Sequence, residues 1–164
     1  MNKLWITHGT TDYLTSLKEK DNSIVVSEDE DKAVAFIEGE SQEVFKEAHE
    51  YEVIDHEGSL SQEGFIVLNN IPVTQEGRPI FEDRFKNRAG KIEDTEGFQA
   101  IRILRPKNSN TYIVFTQWKD EASFKQWRES KAFDKAHQKS GPESKEKPSF
   151  IAGESYLTKL NVVK

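Results

Sequence analysis

The sequence predicts an α+β fold of the ferredoxin-like kind. From Phe65 onward the elements read β-α-β-β-α-β, which builds an antiparallel sheet with helices on one face. Before it, residues 1–61 read β-α-β-β, a shortened copy of the same order. The strands show two-residue alternation or β-branched enrichment and the helices are short and amphipathic, so the expected architecture is two sheet-forming halves joined as a pseudo-dimer within one chain.

Lys3 to Thr7 (KLWIT), Ser23 to Ser27 (SIVVS) and Lys32 to Glu38 (KAVAFIE) are bounded by polar clusters or glycine and read as strands. Between the first two, Tyr13, Leu14 and Leu17 make an i, i+1, i+4 stripe that predicts a short helix within Thr10 to Lys20. Glu43 to Ile54 fits neither period throughout, and its type stays open. Glu57 to Gly64 (EGSLSQEG) is the clearest boundary, dividing a structural N-terminal domain, 1–61, from a site-bearing one, 62–164.

Phe65 to Val73 is the most apolar run. Thr74 is the expected N-cap of a charged helix reaching about Glu93, with Phe81 and Phe85 at i, i+4 on its buried face. Phe98 to Pro106 and Tyr112 to Trp118 alternate as strands joined by the turn-rich KNSN of Lys107 to Asn110. Asp120 can cap a helix holding Ala122, Phe124 and Trp127, and a second short helix carries Phe133, Ala136 and His137. Gly141 to Pro148 reads as a charged loop, and the last strand runs from about Ile151 to Val163.

Composition narrows the function. Ten Phe, four Tyr and three Trp supply a core, so a mean hydropathy of -0.75 reflects a charged surface and not disorder. No run approaches the roughly 18 apolar residues of a membrane helix, and no basic start with an apolar block marks a signal peptide, so a cytoplasmic, soluble chain is expected. The absence of Cys removes disulfides, thiolate metal sites and cysteine nucleophiles. With 29 acidic against 23 basic residues the net charge is -6, so neither nucleic acid nor a membrane surface is an expected partner.

Phosphate-cradling, dinucleotide, zincin, serine-hydrolase and EF-hand motifs are all missing. The acidic run Ser27 to Asp31 reads as a solvated loop. Of the four histidines, His8, His49 and His56 sit in segments without a clear apolar face. His137 follows Phe133 at i+4, so an imidazole and a phenyl ring share one helix face beside the small Ala136. Phe124 and Trp127 line the same wall if the chain breaks between Glu129 and Lys131, because roughly ten residues of unbroken helix would rise about 15 Å.

Four stretches carry a family resemblance. Leu68-Asn69-Asn70-Ile71-Pro72-Val73-Thr74, Arg84-Phe85-x2-Arg88-x-Gly90, Glu96-Gly97-Phe98 and Trp118-x5-Phe124-x2-Trp127-x5-Phe133-x3-His137 resemble the antibiotic-biosynthesis-monooxygenase (ABM) domain. Within it they are most similar to the IsdG-type haem-degrading monooxygenases, over about Phe65 to Lys164. The N-terminal extension with Tyr51-Glu-Val-Ile-Asp55 resembles the longer Bacillus HmoB-like branch, whose likeness runs through the whole chain, with Gln75 to Pro79 and Phe85 to Gly90 as its most specific stretches.

The resemblance implies a βαββαβ domain of the dimeric α/β-barrel type and an oxidative opening of the haem ring with release of iron. It implies Asn69, Trp127 and His137 as catalytic residues, with His137 as axial ligand to the haem iron. Phe124, Phe133, Arg84 and Arg88 would contact haem, which serves as substrate and cofactor together. The other requirements are O2 and an external electron donor, a reductase or a small reductant. Strand alternation puts Asn69 with Val67 and Ile71, and Asn70 with Leu68 and Pro72, so the residues leave the choice of Asn open and only the family spacing favours Asn69.

Two other functions remain: a cofactor-free ABM monooxygenase acting on an aromatic polyketide or quinol, and a non-enzymatic signalling protein resembling the staphylococcal target of RNAIII-activating protein. Ferredoxin-like domains leave one sheet face bare, and Trp5, Ile6, Val25, Val34 and Phe36 can cover it from the N-terminal half, so a monomer is expected.

Overall fold

Alternate apolar residues on eight antiparallel strands turn inward together and close the sheet on itself. The computed structural model describes residues 3–40, 42–86, 95–129 and 153–163. The strands are β1 (Lys3–Gly9), β2 (Val25–Glu28), β3 (Ala33–Glu38), β4 (His49–Gly58), β5 (Phe65–Pro72), β6 (Phe98–Pro106), β7 (Thr111–Trp118) and β8 (Tyr156–Val162). Three helices, α1 (Thr11–Lys18), α2 (Arg78–Lys86) and α3 (Glu121–Arg128), lie among them in the chain. The barrel order is β1-β3-β2-β8-β5-β7-β6-β4.

That order repeats itself. β1-β3-β2 followed by β8 has the same form as β5-β7-β6 followed by β4, an internal twofold relation between the halves. Each half lends its last strand to the other: β4 joins β1 to β6, and β8 joins β5 to β2. The barrel interior is one buried cluster including Leu4, Ile6, Val25, Val34 and Phe36 from the first half and Ile66, Leu68, Leu104, Ile113 and Phe115 from the second. Phe36 and Phe115 meet edge to face, 5.2 Å between centroids at 78°. The pseudo-dimeric α+β architecture is therefore present in one chain.

Trp5 departs from expectation. Successive strand residues face opposite ways, so with Ile6 inside, Trp5 must point out. It packs with the outer cluster and donates its indole N–H to the Gly39 carbonyl at 3.2 Å. The ambiguity of Glu43 to Ile54 has a physical cause as well. Gln42 clamps Phe45 from both sides, accepting from its N–H at 2.6 Å and donating to its C=O at 3.0 Å, and so fixes a loop before β4 begins at His49. Within β4 the register shifts between Val53 and Asp55, which breaks the alternation.

Thr74 does not cap α2 directly. Its hydroxyl accepts from Gly77 N–H at 3.0 Å in a turn, and the helix starts at Arg78. The last described strand begins at Tyr156, and the expected second short helix and loop lie outside the described residues. Thr10 and Asp120 do cap α1 and α3, each accepting a backbone N–H from three residues ahead. At one end of the barrel Arg102 fastens the halves together: its buried guanidinium donates to Glu38 at 2.8 Å and to the carbonyls of Glu57 and Gly58 at 2.9 Å each. Gly58 has φ of 73°, and a Cβ there would fall 2.0 Å from the Gln99 carbonyl oxygen. No helix among the described residues is long and apolar enough to cross a membrane.

Candidate functional site

The outward-facing row of β5 is Phe65, Val67, Asn69 and Ile71, three apolar residues with one amide among them. Each end of the row lies under a helix. Phe65 and Val67 pack with Ile101, Ile103, Trp118 and the α3 residue Phe124, with Trp127 against them. Ile71 packs with Val73, Tyr112 and the α2 residue Phe81. Ile54 and Val114 touch both clusters. Asn69 thus stands between two helix footprints, half-buried, paired in register with Val114 on one side and Leu157 on the other.

The two asparagines are separated by the barrel wall. Asn70 is 7% exposed and shares its row with Ile66 and Leu68 of the barrel interior, and its Nδ2 lies 3.1–3.2 Å from the Leu68 and Tyr156 carbonyls and the Thr158 hydroxyl. Its donors are committed to structure. Asn69 makes no side-chain hydrogen bond among the described residues, so its amide can donate into the space between α2 and α3.

Trp127 is half-buried on α3 and backed by two rings. Trp118 lies 5.6 Å away at 34° and Phe124 lies 6.3 Å away at 38°. Trp118 is itself fully buried, with its indole N–H donated to Thr116 Oγ1 at 3.0 Å. Trp118 opens the last of the stretches that carry the resemblance, but its role as a support is not legible there, because an apolar strand residue carries no mark of what lies on top of it. α3 stops at Arg128, and the backbone N–H of Glu129 closes back onto Lys125. The expected break between Glu129 and Lys131 reaches outside the described residues.

Glu82 pins α2 to the sheet. It accepts from Arg105 Nη2 at 2.5 Å and from the Tyr112 hydroxyl, while Arg105 also reaches Glu52 at 3.0 Å. Arg78 donates to Tyr112 Oη at 3.3 Å and to the Pro106 carbonyl at 3.0 Å. The Arg105 bond holds the Glu82 carboxyl below its usual range despite partial burial, which alone would raise it. Burial and then the bond to Glu82 push the Tyr112 phenol up. The helix on one side of Asn69 is thereby held on the sheet by charge-assisted bonds.

Lys159 and Leu157 of β8 are further site residues that the sequence did not reveal. Lys159 pairs with Val67 in register and sets its ammonium 6.0 Å from the Phe124 ring centroid, and Leu157, opposite Asn69, is 37% exposed. Their two-residue spacing is visible in the sequence, but their neighbours depend on how β8 registers against β5. Of the expected site residues, the structure brings Asn69, Phe124 and Trp127 to one face. Phe133, His137 and Arg88 lie outside the described residues, as does the side chain of Arg84. No group of three or more potential metal-ligating side chains occurs among the described residues.

Residues 64–139 match the family described as antibiotic biosynthesis monooxygenase. A heme-degrading monooxygenase of Listeria monocytogenes is 26% identical over 132 residues, covering 79% of each chain. A signal transduction protein TRAP of Staphylococcus aureus is 27% identical over 135 residues, covering 81% of each. Among solved structures, one described as a major regulator of staphylococcal pathogenesis aligns with a TM-score of 0.86 and 23% identity over 99% of this chain and 100% of that one, which shows a shared fold.

Proposed function

We propose that this chain, which carries an antibiotic biosynthesis monooxygenase domain at residues 64–139, is a haem-degrading monooxygenase that opens the haem ring with O2 and an external reductant and releases its iron. The observation that carries this reading is the placement of Asn69. An uncommitted amide donor faces the gap between two helices, beside an aromatic wall that presents Trp127.

Haem asks for an apolar slot, one axial donor and a rim that accepts two carboxylates. Half-buried Val114 and exposed Leu157 supply apolar surface on either side of Asn69, and Lys159 supplies a cation at the rim. The residues present fit the group. When bound, haem supplies the iron centre at which O2 is activated. His137 would hold the iron through an imidazole nitrogen, Phe124 and Phe133 would bound the slot, and Arg84 and Arg88 would join Lys159 in meeting the propionates. Asn69 would offer its amide N–H to bound oxygen, a fixed dipole where negative charge develops. Trp127, backed by Trp118 and Phe124, would give one indole face to the bound ring and shape the slot. Electrons arrive from a separate reductase or small reductant. Residues 62–164 would hold the site and residues 1–61 complete the barrel, giving a cytoplasmic monomer.

The test is a haemin titration of the full chain followed by ascorbate in air. A saturable Soret band that decays to an open-chain tetrapyrrole with chelatable iron is expected. A second reading, a non-enzymatic signalling protein, is favoured by the TRAP similarity, which covers as much of this chain as the monooxygenase similarity does. Absence of a Soret band would leave that reading standing. Oxygen consumption with a quinol but no haemin would point instead to cofactor-free oxygenation.

A further inference from the structure

The internal twofold relation has a second consequence, away from the cleft over Asn69. Ile6 pairs with Phe36 as Leu68 pairs with Phe115, so Thr7, opposite Ala35, occupies in the first half the position that Asn69, opposite Val114, occupies in the second. Over Thr7, α1 and residues 45–49 border a half-open hollow of about 720 Å³. That volume lies within the range of small-ligand sites, roughly 300–1,000 Å³.

Its lining differs from that of its counterpart. The Thr7 hydroxyl is spent on the Glu47 carbonyl at 2.6 Å, so the floor is closed by Thr7 with buried Leu17 and Phe45. Around this apolar floor stand rings. Tyr13 is 45% exposed, and the His8 and His49 imidazoles meet edge to face with centroids 5.9 Å apart. Among the lining residues Lys46 is the cation and Glu47 the carboxylate, while His8 and His49 offer ring N–H donors. Burial depresses the His8 pKa, and His49 and Lys32 depress it further. His8 is therefore held toward its neutral form, in which one ring nitrogen still donates.

We propose that this hollow is a binding site for a small, flat aromatic monocarboxylate, its ring against Tyr13 and Phe45 and its carboxylate accepting from the His8 and His49 imidazoles. Flatness follows from a site that is half open, where ring faces must supply the contact that enclosure does not. One negative charge suits the two imidazole N–H donors beside Lys46, and Glu47 repels a second. The site is separate from the cleft over Asn69 and does not rest on the haem reading.

The probe is 2-naphthoate, with uncharged 2-naphthamide beside it, titrated into the full chain while the His Cε1–H and Trp indole N–H resonances are followed. Saturable shifts at His8 and His49, an affinity at least tenfold lower for the amide, and a loss of at least tenfold in both the His8→Ala/His49→Ala variant and the hollow-filling Ala48→Trp variant are expected. Shifts at the Trp127 indole with His8 and His49 still, equal affinity for the amide, or undiminished binding in the variants would each overturn the proposal.

Discussion

Replacing Asn69 and Asn70 separately by Ala divides function from stability at adjacent positions. Asn70 is 7% exposed and its amide serves the Leu68 and Tyr156 carbonyls and the Thr158 hydroxyl. Removing it takes a donor from the buried Leu68 carbonyl and from two part-buried acceptors, at about 1–3 kcal/mol. At about 2–4 °C per kcal/mol for a chain of this size, Asn70→Ala should lower Tm by roughly 2–12 °C. Asn69 has no such bonds among the described residues, and its loss should change stability by less than about 0.5 kcal/mol. If its amide stabilises charge on the distal side of bound haem, Asn69→Ala should bind haemin normally yet slow ascorbate-driven Soret decay about 10²–10³-fold, the usual cost of one lost donor. Thermal denaturation and single-turnover decay on the same preparations measure both. Wild-type turnover in Asn69→Ala, with stalled turnover and an unchanged Tm in Asn70→Ala, would reverse the assignment of the two faces.

Trp127→Phe should keep haemin affinity within about threefold, because another apolar ring replaces most of the buried area, yet turn over more slowly; equal Soret decay rates would remove the distorting role. His137→Ala should lose the axial-ligand spectrum, and an unchanged spectrum would move the search to His8, His49 or His56. Since Arg105 lowers the folded pKa of Glu82, the contribution of this pair is complete above the unfolded carboxylate range and is lost as pH falls through the lower folded value. Glu82→Gln should therefore lower Tm at pH 7, by about 1–2 kcal/mol in stability, and the gap from wild type should close toward pH 3; a gap independent of pH would show that charge is not its source. Light scattering should give the monomer mass of 18.9 kDa at micromolar concentration, and a dimer mass would show that the internal barrel does not replace a second subunit.

What could be read from the sequence was local. Alternation in Phe98 to Trp118 and the caps at Thr10 and Asp120 need only neighbours a few residues away, and those elements stand where they were expected. Trp5 and Ile6 are equally apolar, and which one enters the barrel depends on pairing with β3 and β4, far along the chain. The same holds for Asn69 and Asn70, which interrupt apolar rows on opposite faces of one strand. A side-chain clamp at Gln42 and a bulge after Val53 erased the periodicity of Glu43 to Ile54. Trp118, Leu157 and Lys159 join the site only through the registers of β5, β7 and β8.

The exchange of end strands also bears on why the two halves belong to one chain. β4 comes from the first half yet pairs with β6, and its Ile54 packs against both the α3-covered and the α2-covered clusters that flank Asn69. β8 comes from the second half yet pairs with β2, and the following Val163 packs under the first half's outer surface. Neither face is complete without the other half. The fusion therefore does more than hide a bare sheet: it fixes the relative placement of the halves and frees the two outer faces to diverge. At equivalent positions one face carries an amide donor beside a tryptophan wall, and the other a threonine sealed to the backbone beneath two imidazoles.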